Sequence, residues 1–415
     1  MLKAKNDNIV FIGAARTPVG SYLGDLKTVP VEDLGVIALN EGIKRSSITK
    51  EELDEVIVGN VIGSQSNNNL GNIIGIDAGL PQTSTGMTVN RVCGSGIQSA
   101  VSAALELLVS DKKFIAAGGA ESLSRAPYYL PESMRYEGLK SGDYRLIDSI
   151  KEGHRSLSGK NSEIDHMGNT AENIVRLLSI SRLEQDEFAY RSNMKAVAAQ
   201  NNGRFAQEII PVEVKRKKGE VTLVDKDGDP RPDTTLEKLA KLKPVFEENG
   251  TVTAGNASGL NDGAAFELMT TETTAKENGL DIMGSVVDYQ ISGCDPKYMG
   301  LGPVYAIKAL LLRQGMNLQK DIGLLEINEA FAAQTLGCLK KLGISTKSYF
   351  YNHKFNPNGG AVALGHPLGM SGARILTEIL YEFKNHPKLH YAIASACIGG
   401  GQGIAMLLEN GYWKE

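Results

Sequence analysis

Three stretches of this chain, "NIVFIGAA" (8–15), "KFIAAGGA" (113–120) and "YAIASAC" (391–397), are apolar almost without a break. A strand with one wet face alternates polar and apolar residues; a strand with no polar face must be covered on both sides. Amphipathic helical patterns lie between such runs: "VEDLGVIALNEGIKR" (31–45), "IQSAVSAALELLVS" (97–110) and "GMSGARILTEILYEF" (369–383). Strand and helix patterns in alternation imply βαβ units, a mainly parallel sheet and an α/β fold. Thr49 and Glu52 form a capping-box pattern ahead of the strand "EVIVG", and Ser181 and Glu184 form another ahead of a long helix. At 415 residues the chain exceeds one small core. The segment 122–261 breaks the rhythm, with polar, irregular pieces such as "PYYLPESMRYEGLKSGDYR" and "DKDGDPRPDTT", and reads as a long insertion. After it the alternation resumes.

Charge narrows the classes of function. The net charge of −4 supplies no basic field for nucleic acid. The cluster from Lys215 to Lys218 reads as a solvated hairpin turn. "DKDGDP" resembles a calcium loop only at its start, since position 12 counted from Asp225 is Leu236 and not Glu. No uninterrupted apolar run approaches the ~20 residues of a membrane span, and the first residues carry no apolar leader pattern, so a cytoplasmic location is the expectation. The four cysteines, Cys93, Cys294, Cys338 and Cys397, are scattered without a C-x-x-C pair, which signals neither a zinc site nor a disulfide framework.

Two of those cysteines stand in unusual company. Cys93, in "NRVCGSGIQSA", falls where an apolar strand turns into a helix; a helix N-terminus favours thiolate over thiol, and the thiolate is the nucleophile. A buried packing role serves a lone cysteine equally well. Cys397, in "SACIGGGQG", ends a strand ahead of three glycines whose N–H groups suit an oxyanion hole, or simply a tight turn. His366, in "NPNGGAVALGHPLGMSG", is held between Gly365 and Pro367, where a histidine suits general-base work and an incidental turn position is the alternative. Asn328, in "INEAFAAQ", sits at a strand end, where capping alone explains it. All four lie at strand C-termini, the edge at which α/β sheets bind ligands.

These motifs in this order, together with "GTVTAGNASGLNDGAA", resemble the thiolase family over nearly the whole chain, and within it the acetyl-CoA acetyltransferases. The resemblance implies a thiolase fold: two similar halves in a layered αβαβα core, with 1–121 (completed by about 262–281) and 282–415 as the halves and 122–261 as a loop domain over CoA. It implies a ping-pong condensation of two acetyl-CoA to acetoacetyl-CoA and CoA. Cys93 is then the nucleophile and His366 its base. Cys397 removes the proton from the second acetyl-CoA. His366 and an Asn328-held water stabilise the enolate, and the N–H groups of Cys93 and Gly399 form the second hole. The chemistry asks for a depressed Cys93 pKa and a Cys397 pKa suited to proton transfer. By the same match Ala254 and Ser258 contact pantetheine, Arg231 the nucleotide, and His166, Met167, Met299, Ala330 and Phe331 the acyl and pantetheine tunnel. No metal or resident cofactor is implied; the partners are CoA thioesters and a second copy of the chain, as a homodimer or homotetramer, with a place in fatty acid metabolism. The rivals are a degradative 3-ketoacyl-CoA thiolase of broader chain length, a ketoacyl synthase (disfavoured by Cys397), and a non-catalytic acyl-CoA binder.

Overall fold

The structure, a computed structural model, describes residues 5–64, 68–156 and 166–414, without the side chains of His154, Ser156 and Lys218. The middle of "NVIGSQSNNNLGN", considered as a subunit contact, and most of "GHRSLSGKNSEIDHMGN", considered for chain-length preference, lie outside those residues.

Nine strands run in one continuous path. Its order is Ile322–Ile327, Tyr391–Ile398, Gln402–Asn410, Gly284–Gly293, Ile9–Arg16, Asn261–Thr271, Ile115–Ser122, Glu55–Gly59 and Thr85–Val89. The first four belong to the C-terminal half and the last five to the N-terminal half. A short antiparallel pairing of Ile9–Phe11 with Gly284–Val286 joins them.

The apolar runs explain the layers. In strand Ile9–Arg16, Phe11 points into one core while Val10 and Ile12 point into another. In strand Ile115–Ser122, Ala117 shares the core of Phe11 and Ala116 that of Val10. In strand Gln402–Asn410, Met406 joins the first core and Leu407 a third. These strands are therefore buried on both faces, as their unbroken apolar sequence requires, while strands Thr85–Val89 and Gly284–Gly293 are partly exposed. Helices Val31–Ser46 and Leu70–Asp77 cover the outer face of one half, and Gly302–Gln314 and Ala332–Leu342 that of the other. Helices Ser95–Val109 and Ser371–Asn385 fill the middle. The result is five layers, αβαβα. The apolar window Val92–Val109, with mean hydropathy 1.5, is long enough for a membrane span by composition; it is the helix of this middle layer.

The alternation misleads in one respect. Only the pairs Glu55–Gly59 with Thr85–Val89, Glu55–Gly59 with Ile115–Ser122, and Ile322–Ile327 with Tyr391–Ile398 are parallel; the other pairs along the path are antiparallel. The last two strands form a glycine hairpin, and strand Asn261–Thr271 returns after the insertion to lie between Ile9–Arg16 and Ile115–Ser122, so no crossover helix enforces a parallel arrangement. The capping boxes at Thr49 and Ser181 are formed as their spacing predicts, and the basic cluster forms the turn between strands Val212–Lys215 and Val221–Val224.

The insertion is tied down by buried ions. The Arg16 guanidinium, wholly buried, donates to both carboxylate oxygens of Asp227 at 2.7 and 2.9 Å and to Glu208 at 2.6 Å. Glu208 also takes Arg204, which reaches Glu382 on helix Ser371–Asn385. The acidic "DKDGDP" thus serves tethering: its Asp227 also accepts the Val19 N–H.

The two middle helices touch backbone to backbone. A Cβ on Gly96 would run into the backbone nitrogen of Ala373, and one on Gly372 into that of Ile97. Gly96→Ala must therefore push the helices apart, which overpacking data put at about 1–3 kcal/mol. Chemical denaturation should show that loss, and the chemistry at both helix N-termini should slow with it.

Candidate active site

Strand Thr85–Val89 enters the Cys93 turn and helix Ser95–Val109 leaves it. Between them Val92 sits at φ +47°, in the left-handed region that a β-branched residue avoids. Such strain costs about 1–3 kcal/mol and persists only where neighbours enforce it. Here Asn90 Oδ1 accepts the Val92 N–H at 3.0 Å. Ser95 Oγ accepts the Arg91 N–H at 2.8 Å and donates to the Val92 carbonyl at 2.7 Å. The turn projects Cys93 into a cavity of about 600 Å³ that His366 and Gly399 also line.

The second cysteine motif arrives beside the first. Strands Tyr391–Ile398 and Gln402–Asn410 pair Ile398 with Gln402 across a loop of three glycines, and Gly400 and Gly401 both adopt φ +88°. A side chain on Gly401 would strike the Cys294 carbonyl. This tight turn sets Ile398 against Gly94 and aims the Gly399 N–H at the Cys93 sulfur.

His366 is fixed from three sides. Its backbone N–H donates to Asn261 Oδ1 at 2.8 Å. Its Nδ1 lies 2.6 Å from Ser371 Oγ, and its Nε2 3.3 Å from Asn328 Nδ2. Ser371 already donates its hydroxyl proton to the Pro367 carbonyl at 2.9 Å, so toward His366 it accepts. The Nδ1 therefore carries the ring proton, and Nε2 is left with its lone pair, facing the Asn328 amide. That tautomer is ready to receive a proton. Asn328 Oδ1 is buried and accepts no hydrogen bond among the described residues.

The thiols do not behave as the helix N-terminus suggests. Burial pushes Cys93 up to about 11; the Gly399 N–H and its own N–H pull it down, and the Glu121 carboxylate pushes it further up. Burial also raises Cys397 well above the ordinary thiol range, with the nearby Cys93 adding to it. The expected depressed pKa of Cys93 is thus absent from the resting site. The first turn of helix Ser95–Val109 is enclosed, and desolvation outweighs its dipole. A base must take the proton as the thiol reacts.

Two apolar clusters flank the thiols. Leu123, Ile150, Leu368, Val61, Ile62 and Leu260 gather around Cys93. Met167, Met299, Ala330 and Phe331 gather around Cys397 with Val252 and Phe246. His166 stacks on Phe246 with ring centroids 4.7 Å apart, and Phe246 meets Phe331 edge-on at 6.0 Å. His166 Nδ1 accepts the Gly168 N–H, and burial lowers its pKa.

His166, Met167, Ser258, Met299, Ala330 and Phe331 all line the main cavity. Ser258 anchors its wall by donating to the Ala330 carbonyl at 2.9 Å. Arg231 and Ala254 line instead an outer cavity of about 200 Å³, which shares Ala257 and Gly259 with the main one. Asn328 and Cys397 are fully buried and are not among the residues of the cavity wall. Sequence reading missed Asn261, Ser371, Phe246 and Glu121. Ser371 had a usable signal, one helical turn beyond Pro367 and its neighbour His366; Asn261 lies 105 positions from its partner.

If Ser371 fixes the histidine tautomer, Ser371→Ala should slow iodoacetamide alkylation of Cys93 at pH 7 by about ten-fold or more, the scale of general-base assistance. Circular dichroism should show the fold retained.

Residues 9–273 match the family "Thiolase, N-terminal domain" and residues 280–410 the family "Thiolase, C-terminal domain". The acetyl-CoA acetyltransferase of Cupriavidus necator is 42% identical over 403 residues, covering 97% of this chain and 99% of its own. That of Rhizobium meliloti is 43% identical over 406 residues, with the same coverage. Among solved structures, the Bacillus anthracis acetyl-CoA acetyltransferase matches with a TM-score of 0.90 at 41% identity, covering 97% of this chain and 99% of that one. Human mitochondrial 3-ketoacyl-CoA thiolase matches with a TM-score of 0.90 at 40% identity and the same coverage. With both domains matched and the fold and cysteine–histidine site in place, the chain belongs to the thiolase family.

Proposed function

We propose that the protein is an acetyl-CoA C-acetyltransferase that joins two acetyl-CoA into acetoacetyl-CoA and CoA, reversibly, through an acetyl group carried on Cys93. The observation that carries this is the convergence of the Cys93 thiol, the Gly399 N–H and a His366 ring whose Nε2 is held as an acceptor.

That arrangement supports the following sequence of steps. His366 Nε2 takes the Cys93 proton as the sulfur attacks the thioester carbonyl. Because the resting thiol is protonated, charge develops only as the bond forms. The N–H groups of Cys93 and Gly399 receive the oxyanion, a donor pair that contributes about 3 kcal/mol per member in comparable holes. CoA leaves as the thiol by taking the Cys397 proton, which leaves Cys397 as the thiolate and His366 still protonated at Nε2. The second acetyl-CoA then enters, and Cys397, as thiolate, removes a methyl proton. The enolate oxygen is stabilised by His366, protonated at Nε2 in this half-reaction, and by a water held at Asn328. The enolate carbon attacks the acetyl group on Cys93, and Cys93 departs as the thiolate. Two thiols of high pKa suit this exchange, since neither is ionised at rest and Cys93 trades the acyl group with the substrate's own sulfur at little cost.

The rest of the reading concerns binding and setting. Pantetheine lies against Ser258, Met167, Met299 and Phe331 and reaches Ala254 at the outer cavity, where Arg231 meets the nucleotide, under the loop domain 122–261. Catalysis needs only thiols, an imidazole and amides, so no metal or resident cofactor takes part. A cytoplasmic homodimer or homotetramer in fatty acid metabolism fits this chemistry. Strand Thr85–Val89 ends the sheet, and Ile76 beside it is 65% exposed, an edge suited to a second copy of the chain. A degradative 3-ketoacyl-CoA thiolase uses the same machinery; thiolysis rates across acyl chain lengths distinguish it, with acetoacetyl-CoA expected to be the best substrate.

The division of labour is testable. Cys93→Ser should abolish acetyl-enzyme formation from labelled acetyl-CoA. Cys397→Ala should still acetylate but fail to condense, with an overall rate loss of about 10²–10⁴, the range for removing a general base. Mass spectrometry of the trapped acetyl-enzyme checks both. Equal loss of both half-reactions in both variants contradicts the assignment.

A further inference from the structure

Glu121 accepts four hydrogen bonds near the site and has no assigned step in the chemistry above. It is the penultimate residue of strand Ile115–Ser122 and is wholly buried. Oε1 accepts the Ile62 N–H at 3.0 Å and the Asn60 amide at 3.2 Å. Oε2 accepts the Val61 N–H at 3.0 Å and the Gly369 N–H at 2.8 Å. Both oxygens are thus filled by donors, and the residue is not among those lining the cavity.

The donors come from two places that the chemistry must align. Val61 and Ile62 are cavity walls beside Cys93, in the loop after strand Glu55–Gly59. Gly369 closes the loop that carries His366, in the other half of the chain. The three backbones meet without room for side chains: a Cβ on Gly59 or Gly119 would run into the Gly369 carbonyl, and one on Gly369 into that of Gly59. Glycine contacts allow this approach and do not direct it. Hydrogen bonds to a single carboxylate do: burial lifts Glu121 to about 7, and the Gly369, Val61 and Ile62 N–H groups pull the other way, toward the ionised, acceptor-only form.

We propose that Glu121 is a positioning residue that holds the His366 loop in register with the wall around Cys93. The need for a carboxylate follows from the donor count. Four N–H donors converge on two oxygens, and a neutral amide of the same shape turns one oxygen into a donor facing two others. The loop must then shift, and displacements of about 1 Å at a site of this kind cost roughly 10²-fold in rate.

This inference rests on the acetyltransferase reading for its kinetic readout, and the test keeps the two apart. Wild type, Glu121→Gln and Glu121→Asp are compared in acetoacetyl-CoA thiolysis, with rates expressed per active site titrated by iodoacetamide. The expected result is that Glu121→Gln loses at least ten-fold in kcat with KM for CoA changed less than three-fold, because the CoA contacts lie elsewhere. Glu121→Asp, which keeps an acceptor-only group on a shorter arm, should fall between the two. A purely structural role lowers the number of titratable sites and leaves kcat per site unchanged, and that outcome overturns the proposal. An inactive wild type defeats the acetyltransferase reading alone. Hydrogen exchange then decides the proposal, as it does if the variants fail to fold: in the wild type the amides of Val61, Ile62 and Gly369 should be protected together, and fast or unequal exchange among them overturns it.

Discussion

The contact on which the site depends is the one between Gly96 and Gly372. Cys93 stands three residues before one of these glycines and His366 six before the other. Helix Ser95–Val109 and helix Ser371–Asn385 meet there through bare backbone. A nucleophile and a base from opposite ends of the chain are thereby brought together by rigid elements rather than by long side chains. The residues around them act locally. Asn90 and Ser95 hold the strained Val92 turn, Asn261 and Ser371 hold His366, and the glycine hairpin after Cys397 delivers an N–H to the Cys93 sulfur.

Much of this was legible in the sequence because it is local. The unbroken apolar strands announced burial on both faces, the capping boxes marked helix starts, and the cysteine, histidine and glycine motifs named the parts that converge. What stayed hidden depends on partners far along the chain. Asn261 is an unremarkable residue until it is seen accepting the His366 N–H, and Glu121 looks like the polar end of a strand until four donors surround it. Strand direction was misread because alternating patterns do not report that strand Asn261–Thr271 returns to the first half after the insertion. The Cys93 pKa was misjudged for a related reason. A helix N-terminus is visible in sequence, but the desolvation that overrides it comes from residues as distant as Leu260 and Leu368.

The buried ionic chain from Asp227 through Arg16, Glu208 and Arg204 to Glu382 adds specificity of placement to the insertion. Pairs of this kind are seldom a large net source of stability, because removing two charges from water offsets most of their attraction. Their geometry, however, is exacting. They link the polar segment whose residues line the outer cavity to the helix that follows His366, so the walls of the substrate path and the base share one framework.

The middle helical layer has an implication for the chain as a physical object. Its side chains are enclosed by strands from both halves at once, with Ile97 and Ile379 in the same cluster as Ile115 and Met406. Either half expressed alone would leave a broad oily surface facing water, and no arrangement of that half could conceal it. The two halves, sharing that cluster, are therefore expected to melt as one body.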